Sequence, residues 1–181
     1  MDSLQGQLLI ASTKLVDPNF VRSVIVMVQH NDEGALGLIV NRPLDTTVRE
    51  VCQKALDIPC EVEGVLHQGG PCEGPLMVVH TNETQSDIEV FPGVYFTTER
   101  EKIEWLMKHN DGAIKFFVGY AGWAAGQLEG EIESESWLIA PADARLVLDG
   151  SNGEQWTKLM TQLTLGKWID PERIPPDPSV N

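Results

Sequence analysis

The stretch Gly119-Tyr120-Ala121-Gly122-Trp123-Ala124-Ala125-Gly126-Gln127-Leu128-Glu129-Gly130-Glu131-Ile132 decides how this chain is read. It leaves an apolar strand at Ile114 to Val118, turns on glycines around a tyrosine and a tryptophan, and enters an acidic segment of helical character. Glycines beside large aromatics mark close chain approach or a shaped pocket. With Gly122 as the zero angle and about 100° per residue, Gly126 and Gly130 share one arc and Ala124, Leu128 and Ile132 the opposite one. Glu129 and Glu133 then lie beside the glycine arc, with Trp123 and Gln127 at its other margin. Each glycine inside a helix costs about 1 kcal/mol relative to alanine. A close neighbour is therefore expected against that arc: packed backbone, or a ligand or partner in a groove rimmed by Trp123, Gln127 and Glu129. A non-helical first turn is the third possibility.

Outward from this block the chain alternates strands and helices irregularly. Leu8 to Ala11 predicts a short buried strand, and Asp17-Pro18-Asn19 a turn. Val24 to Val28 is a near-continuous apolar run, so its strand should be covered on both faces. Asn31 to Gly34 turns it into Leu36 to Val40, a hairpin. Thr47 and Glu50 have capping-box spacing ahead of a helix running up to Pro59. Val65 to His67 and Leu76 to His80 read as strands flanking Gly69-Gly70-Pro71. Thr98 and Glu101 open a second helix, with Ile103, Leu106 and Met107 inward and Asn110-Asp111-Gly112 as its stop. Trp137 to Ala140 is a strand ended by Pro141, and Glu154 to Leu163 a last helix. The pattern favours an α+β fold over a doubly wound parallel sheet. One domain is expected over residues 1–167, followed by a proline-rich tail over 168–181 that forms no regular element.

Composition narrows the function classes. With 181 residues and 42% hydrophobic content, one domain can bury roughly 70% of its unfolded surface. No apolar run approaches the roughly 18 residues of a membrane helix, and the segment Met1 to Gln7 lacks the basic start and apolar stretch of a secretory signal. Cys52, Cys60 and Cys72, eight and twelve residues apart, match no zinc or redox spacing. A cytoplasmic location without membrane contact is expected. The net charge of −14, from 27 acidic and 13 scattered basic residues, argues against direct nucleic-acid binding, which requires clustered cations.

No nucleophile–base set, phosphate loop or metal box accompanies the glycine block, so no catalytic residue, metal or cofactor is assigned. The four histidines share no metal-site spacing, although His67 and His80 would approach one another if their strands were adjacent. The alternating glutamates 129, 131, 133 and 135 read as a solvated face. Arg22-Ser23 opens one strand of the expected hairpin and Asn41-Arg42-Pro43 closes the other, so Arg22 and Arg42 should stand at the same end. Two guanidiniums there, near the Gly69-Gly70 amides, could hold a carboxylate or phosphate. The alternative is that each pairs with an internal acid. The candidate binding residues are Arg22, Ser23, Asn41, Arg42, Gly69, Gly70, Tyr120, Trp123, Gln127 and Glu129.

The blocks Gly6 to Ala11, Asp17 to Val24, Gly37 to Pro43, Gly69-Gly70-Pro71, Gly119 to Trp123 with Gly126 to Glu129, and Trp137-Leu138 together resemble the YqgE/AlgH family, in the family's order and over roughly residues 5 to 165. Ser12-Thr13, Cys72 and the proline tail depart from its usual pattern. The resemblance implies a compact α+β domain with a branched, barrel-like mixed sheet flanked by three or four helices. It brings no agreed catalytic residues, and some members carry a transcriptional-regulator label. The expected function is a non-enzymatic binding or regulatory protein, its partner a protein or a small anionic ligand. Two alternatives stand beside it. One is an enzyme acting on a small anionic substrate, with Arg22 and Arg42 as clamp and Asp17 or Glu129 as base. The other is a transcriptional regulator acting directly or through a partner.

Overall fold

The computed structural model describes residues 2–53, 62–109, 112–149 and 154–168. The C-terminal tail, the distal part of the helix expected before Pro59, Cys60 and the Asn110-Asp111 stop lie outside the described residues. Ten strands form one sheet. They are β1 (Gln7–Ala11), β2 (Val24–Asn31), β3 (Gly34–Ile39), β4 (Pro43–Thr47), β5 (Val65–Gln68), β6 (Cys72–His80), β7 (Ile88–Phe91), β8 (Val94–Thr97), β9 (Ile114–Ala124) and β10 (Trp137–Pro141). Helices α1 (Val48–Val51), α2 (Arg100–His109), α3 (Gln127–Glu133), α4 (Ala144–Leu148) and α5 (Gln155–Trp168) surround it, more than the three or four expected.

The sheet runs β10-β1-β2-β3-β9-β6-β8-β7 and branches at β9. Along β6 the long strand β9 pairs antiparallel through most of its length. Its other edge is shared: Phe116 to Val118 pair parallel with Leu66 to Gln68 of β5, and Ala121 to Ala124 antiparallel with Gly37 to Gly34 of β3. The two partners meet at Gly69, whose amide donates to the Val118 carbonyl and whose carbonyl accepts from the Ile39 amide. A β-carbon at Gly70 would lie 2.1 Å from the Tyr120 carbonyl carbon, and one at Gly69 2.3 Å from the Gly119 oxygen. Gly119 itself is left-handed at φ +71. Only glycine allows backbones this close. The branch is written in Gly69-Gly70 and Gly119.

The sheet then curls until β7 meets the residues before β1. The Gln5 side chain donates to the Glu89 carbonyl, and Gly6 abuts Val90 and Phe91. The interior holds Leu8, Ile10, Val24, Val26, Val28, Phe96 and Phe117, closed by Val147, Leu148 and Leu159 of α4 and α5. The opposite face of β1 and β2, with Leu9, Ile25 and Met27, packs under α3 through Leu128, Trp123 and Trp137. Coverage of β2 on both faces is what its apolar run predicts. A third cluster seats α1 and α2 on β5, β9 and β6 through Val48, Ile103, Leu106 and Phe116. The capping box of Thr47 and Glu50 is formed in both directions.

The glycine arc and the approach of His67 to His80 both fail, and the non-helical first turn is what forms. The helix does not begin near Gly122: β9 runs on to Ala124, and α3 starts at Gln127 with Gly126 as its left-handed N-cap. Gly122, Gly126 and Gly130 therefore share no helical arc, and among the described residues nothing beyond their chain neighbours and the helix's own backbone lies within 4 Å of where β-carbons at Gly126 and Gly130 would stand. The tight neighbour exists at Gly69-Gly70 instead. In addition β5 and β6 flank β9 from opposite edges, so His67 and His80 are not on adjacent strands; His67 lies against Phe117, His80 against Tyr95.

Candidate functional site

Strands β1 and β2 are joined by residues 12–23, and most of the candidate residues converge on this loop from below. Arg42, half-buried just after β3, donates from its two terminal nitrogens to the carbonyls of Asn19 (2.6 Å) and Val21 (3.2 Å). Burial lowers its pKa while Asp17 raises it. Asn41 bridges the loop's end: its Oδ1 accepts from the Val24 amide and its Nδ2 donates to the Arg22 carbonyl, both at 2.9 Å. Asp17 Oδ1 accepts from the Asn19 amide, the Asx turn that the Asp-Pro-Asn sequence promises.

From the other side Phe20 anchors the loop in the tryptophan cluster. Its ring stacks on Trp123 at 6.3 Å and meets Trp137 edge-on at 5.7 Å, with Trp123 and Trp137 themselves edge-to-face at 6.1 Å. Both indole nitrogens donate to one carboxylate oxygen, Glu131 Oε2, at 2.9 and 2.7 Å. Glu131 Oε1 accepts from Gln127 Nε2 at 3.0 Å, while Gln127 Oε1 accepts from the Ala124 amide and so closes the turn into α3. Glu129 contacts His30 Nε2 at 3.1 Å, and Nδ1 of that histidine accepts from the Leu4 amide. The glutamates of α3 are thus not one solvated face. Glu131 is the residue that sequence reasoning missed; its spacing from Trp123, Gln127 and Trp137 was visible, but its convergence depends on β9 ending at Ala124.

Above these supports the exposed side chains of the loop include Val16 (83% exposed), Val21 (44%) and Arg22. Arg22 occupies the left-handed region at φ 56, which a non-glycine residue adopts at a cost of roughly 1–2 kcal/mol. Its guanidinium lies 5.5 Å from the ring centroid of Trp156 of α5, whose Nε1 donates to the Ala11 carbonyl. Ser23, next in sequence, is fully buried, and among the described residues its hydroxyl has no hydrogen-bond partner.

All but one of the ten candidate residues therefore fall into two groups. Arg22, Ser23, Asn41, Arg42, Trp123 and Gln127 build or brace the loop, while Glu129 stands apart from both groups on His30. Gly69, Gly70 and Tyr120 form the branch point, with the Tyr120 ring lying over Gly74 and Gly122. Arg42 and the Gly69 amide both spend their donors on backbone carbonyls. A shallow cavity of about 240 Å³ borders Trp123 between Gln29, Glu33 and Leu36. Among the described residues no group of three or more His, Cys, Asp or Glu is placed to hold a metal ion, and no helix is long and apolar enough to cross a membrane.

The profile of the DUF179 family, described as AlgH-like, matches residues 8–167. A UPF0301 protein of Chlorobaculum tepidum is 39% identical over 163 residues, covering 84% of this chain and 83% of its own. Another, from Idiomarina loihiensis, is 36% identical and covers 93% of this chain and 95% of its own. Among solved structures, the AlgH protein of Pseudomonas aeruginosa superposes with a TM-score of 0.74 at 28% identity, covering 93% of this chain and 94% of its own. Protein DIP2367 of Corynebacterium diphtheriae gives 0.71 at 25% identity, with 87% and 85% covered.

Proposed function

The chain belongs to the AlgH-like family, and from that premise we propose that it is a non-enzymatic binding protein with a regulatory role, engaging a protein partner through the loop at residues 12–23. The observation that carries this reading is Arg22. It is held in a strained left-handed conformation at the surface, over the Trp156 ring, next to the exposed Val21 and above the hydrogen bonds made by Asn41 and Arg42. Strain of this kind persists where surrounding structure over-determines it, and it gathers at functional surfaces. A braced loop that presents Val16, Val21 and Arg22 loses little entropy when a partner docks. The sequence supports a cytoplasmic setting through its cysteine usage. Its charge of −14 favours regulation through a partner over direct contact with nucleic acid.

Trp123 and Arg42 support the loop from beneath, so the test belongs at the exposed positions. Arg22→Gly relieves about 1 kcal/mol of backbone strain and gives up a cation–π contact of about 0.5–1 kcal/mol, leaving folding nearly unchanged. Combined with Val16→Asp it should abolish co-purification of a specific partner from cells while the melting temperature stays within a few degrees. Undiminished co-purification with the double variant overturns the proposal.

A further inference from the structure

A second cavity of about 240 Å³ opens between β4, β5, the start of β9 and α4. It does not touch the loop just described, and the two proposals stand or fall separately. Lys115 and His67 line it, 5% and 6% exposed. An ammonium carries three donors. Among the described residues one is accounted for, Lys115 Nζ to the Val40 carbonyl at 3.2 Å, and no described carboxylate lies within ion-pair distance of it. Asp149 acts on Lys115 from further away and raises its pKa; burial outweighs it and brings the amine down to about 8. His67 is pushed down to about 4, by burial first and by Lys115 second, so its ring is neutral at physiological pH. Val48, Val65, Ile114 and Leu148 supply apolar wall, and the exposed Glu63 stands at the rim.

A buried cation without a close counter-ion is unfavourable unless something neutralises it. The volume lies below the roughly 300–1,000 Å³ of sites for larger ligands, which limits the occupant to a few heavy atoms. Glu63, Asp149 and the acidic chain as a whole disfavour a dianion, whereas the apolar walls favour a hydrocarbon body. We propose that this cavity binds a small organic monocarboxylate, its carboxylate on the Lys115 ammonium and its apolar body against Val48, Val65 and Leu148.

The probe is isovalerate, titrated into the full chain and followed by amide chemical shifts. Isoamyl alcohol serves as the uncharged match and inorganic phosphate as the anion without an apolar body. Saturable binding is expected, with shifts centred on Gly64, Val65 and Phe116. Affinity should fall by about tenfold or more for isoamyl alcohol, for phosphate and for the Lys115→Met variant. The carboxylate binds the protonated amine, so affinity is constant from about pH 6, above the titration range of the carboxylate, to about pH 8, and falls above that as the amine loses its proton. That profile, measured on the unaltered protein, decides the matter should Lys115→Met fail to fold. Absence of saturable binding, shifts centred elsewhere, phosphate binding as tightly as isovalerate, undiminished binding by Lys115→Met, or affinity that is flat through pH 8 to 9.5 would each overturn the proposal.

Discussion

Removing the Glu131 carboxylate should unfasten the tryptophan cluster on which the loop at residues 12–23 rests. Trp123 and Trp137 are 5% and 3% exposed, so neither indole N–H has water to turn to when its acceptor disappears. A hydrogen bond to a charged acceptor contributes about 1.5–3 kcal/mol, and a buried donor left unmade costs about 1–3 kcal/mol. Gln127 keeps its bond to the Ala124 amide but loses the tie along α3. For Glu131→Ala the two indoles together give a loss of about 3–5 kcal/mol. In a chain of this size that is a fall of about 6–20 °C in melting temperature. Glu131→Gln retains an acceptor oxygen without the charge and should lose about half as much. Glu133→Ala, exposed on the same helix, is the control and should stay within about 0.5 kcal/mol. Urea denaturation followed by tryptophan fluorescence reads all three. A Glu131→Ala variant within about 1 kcal/mol of the unaltered chain refutes the reasoning, because buried indole donors would then be finding partners elsewhere.

Other outcomes follow from the same geometry. Gly70→Ala places a β-carbon 2.1 Å from the backbone of Tyr120 and should unfold the chain or cost about 3 kcal/mol or more. Gly130→Ala meets open space inside α3 and should stabilise by up to about 1 kcal/mol in the same denaturation assay. His67 and His80 titrate near 4 when folded and near 6.5 when unfolded, so the unfolded chain alone takes up protons between those values. Stability measured by urea titration should therefore fall as pH drops from about 6.5 to 4, by up to about 1.4 kcal/mol per unit for each histidine. Lys115 titrates near 8 folded against 10.5 unfolded, so its burial is unfavourable below about pH 8 and is relieved as pH rises toward 10.5. Lys115→Met should be more stable than the unaltered chain at pH 7, with the gap closing by pH 10 in thermal melts.

The sequence carried the α+β class through blocks whose local signals agree with their tertiary use, while the branched sheet was implied by the family resemblance. Val24 to Val28 is apolar at every position because both faces of β2 are covered, and the Thr47–Glu50 capping box forms as its spacing demands. Strands β7 and β8 were not legible: at four residues each, with Gly93 between them, they depend on the pairing of β8 with β6 and of β7 with β8 rather than on pattern. The glycine block misled because a spacing of four residues imitates a helical face while the backbone is still extended. Gly122 belongs to β9, Gly126 caps α3, and only Gly130 is helical. The close approach announced by glycine density is real, but it joins Gly119 to Gly69-Gly70, which are 50 residues away in sequence. The shared end of Arg22 and Arg42 follows from the β2–β3 hairpin. That Arg42 would grip backbone carbonyls of the neighbouring loop was not legible, since only the folded loop turns those carbonyls toward it.

The most direct test of the loop as a binding surface is site-specific photo-crosslinking in cells. A photoreactive phenylalanine analogue placed at Val16, and separately at Val21, should yield the same discrete adduct of one partner, while the analogue at the exposed Lys108 of α2 yields none. Equal labelling at Lys108, or no adduct at either valine, contradicts the account.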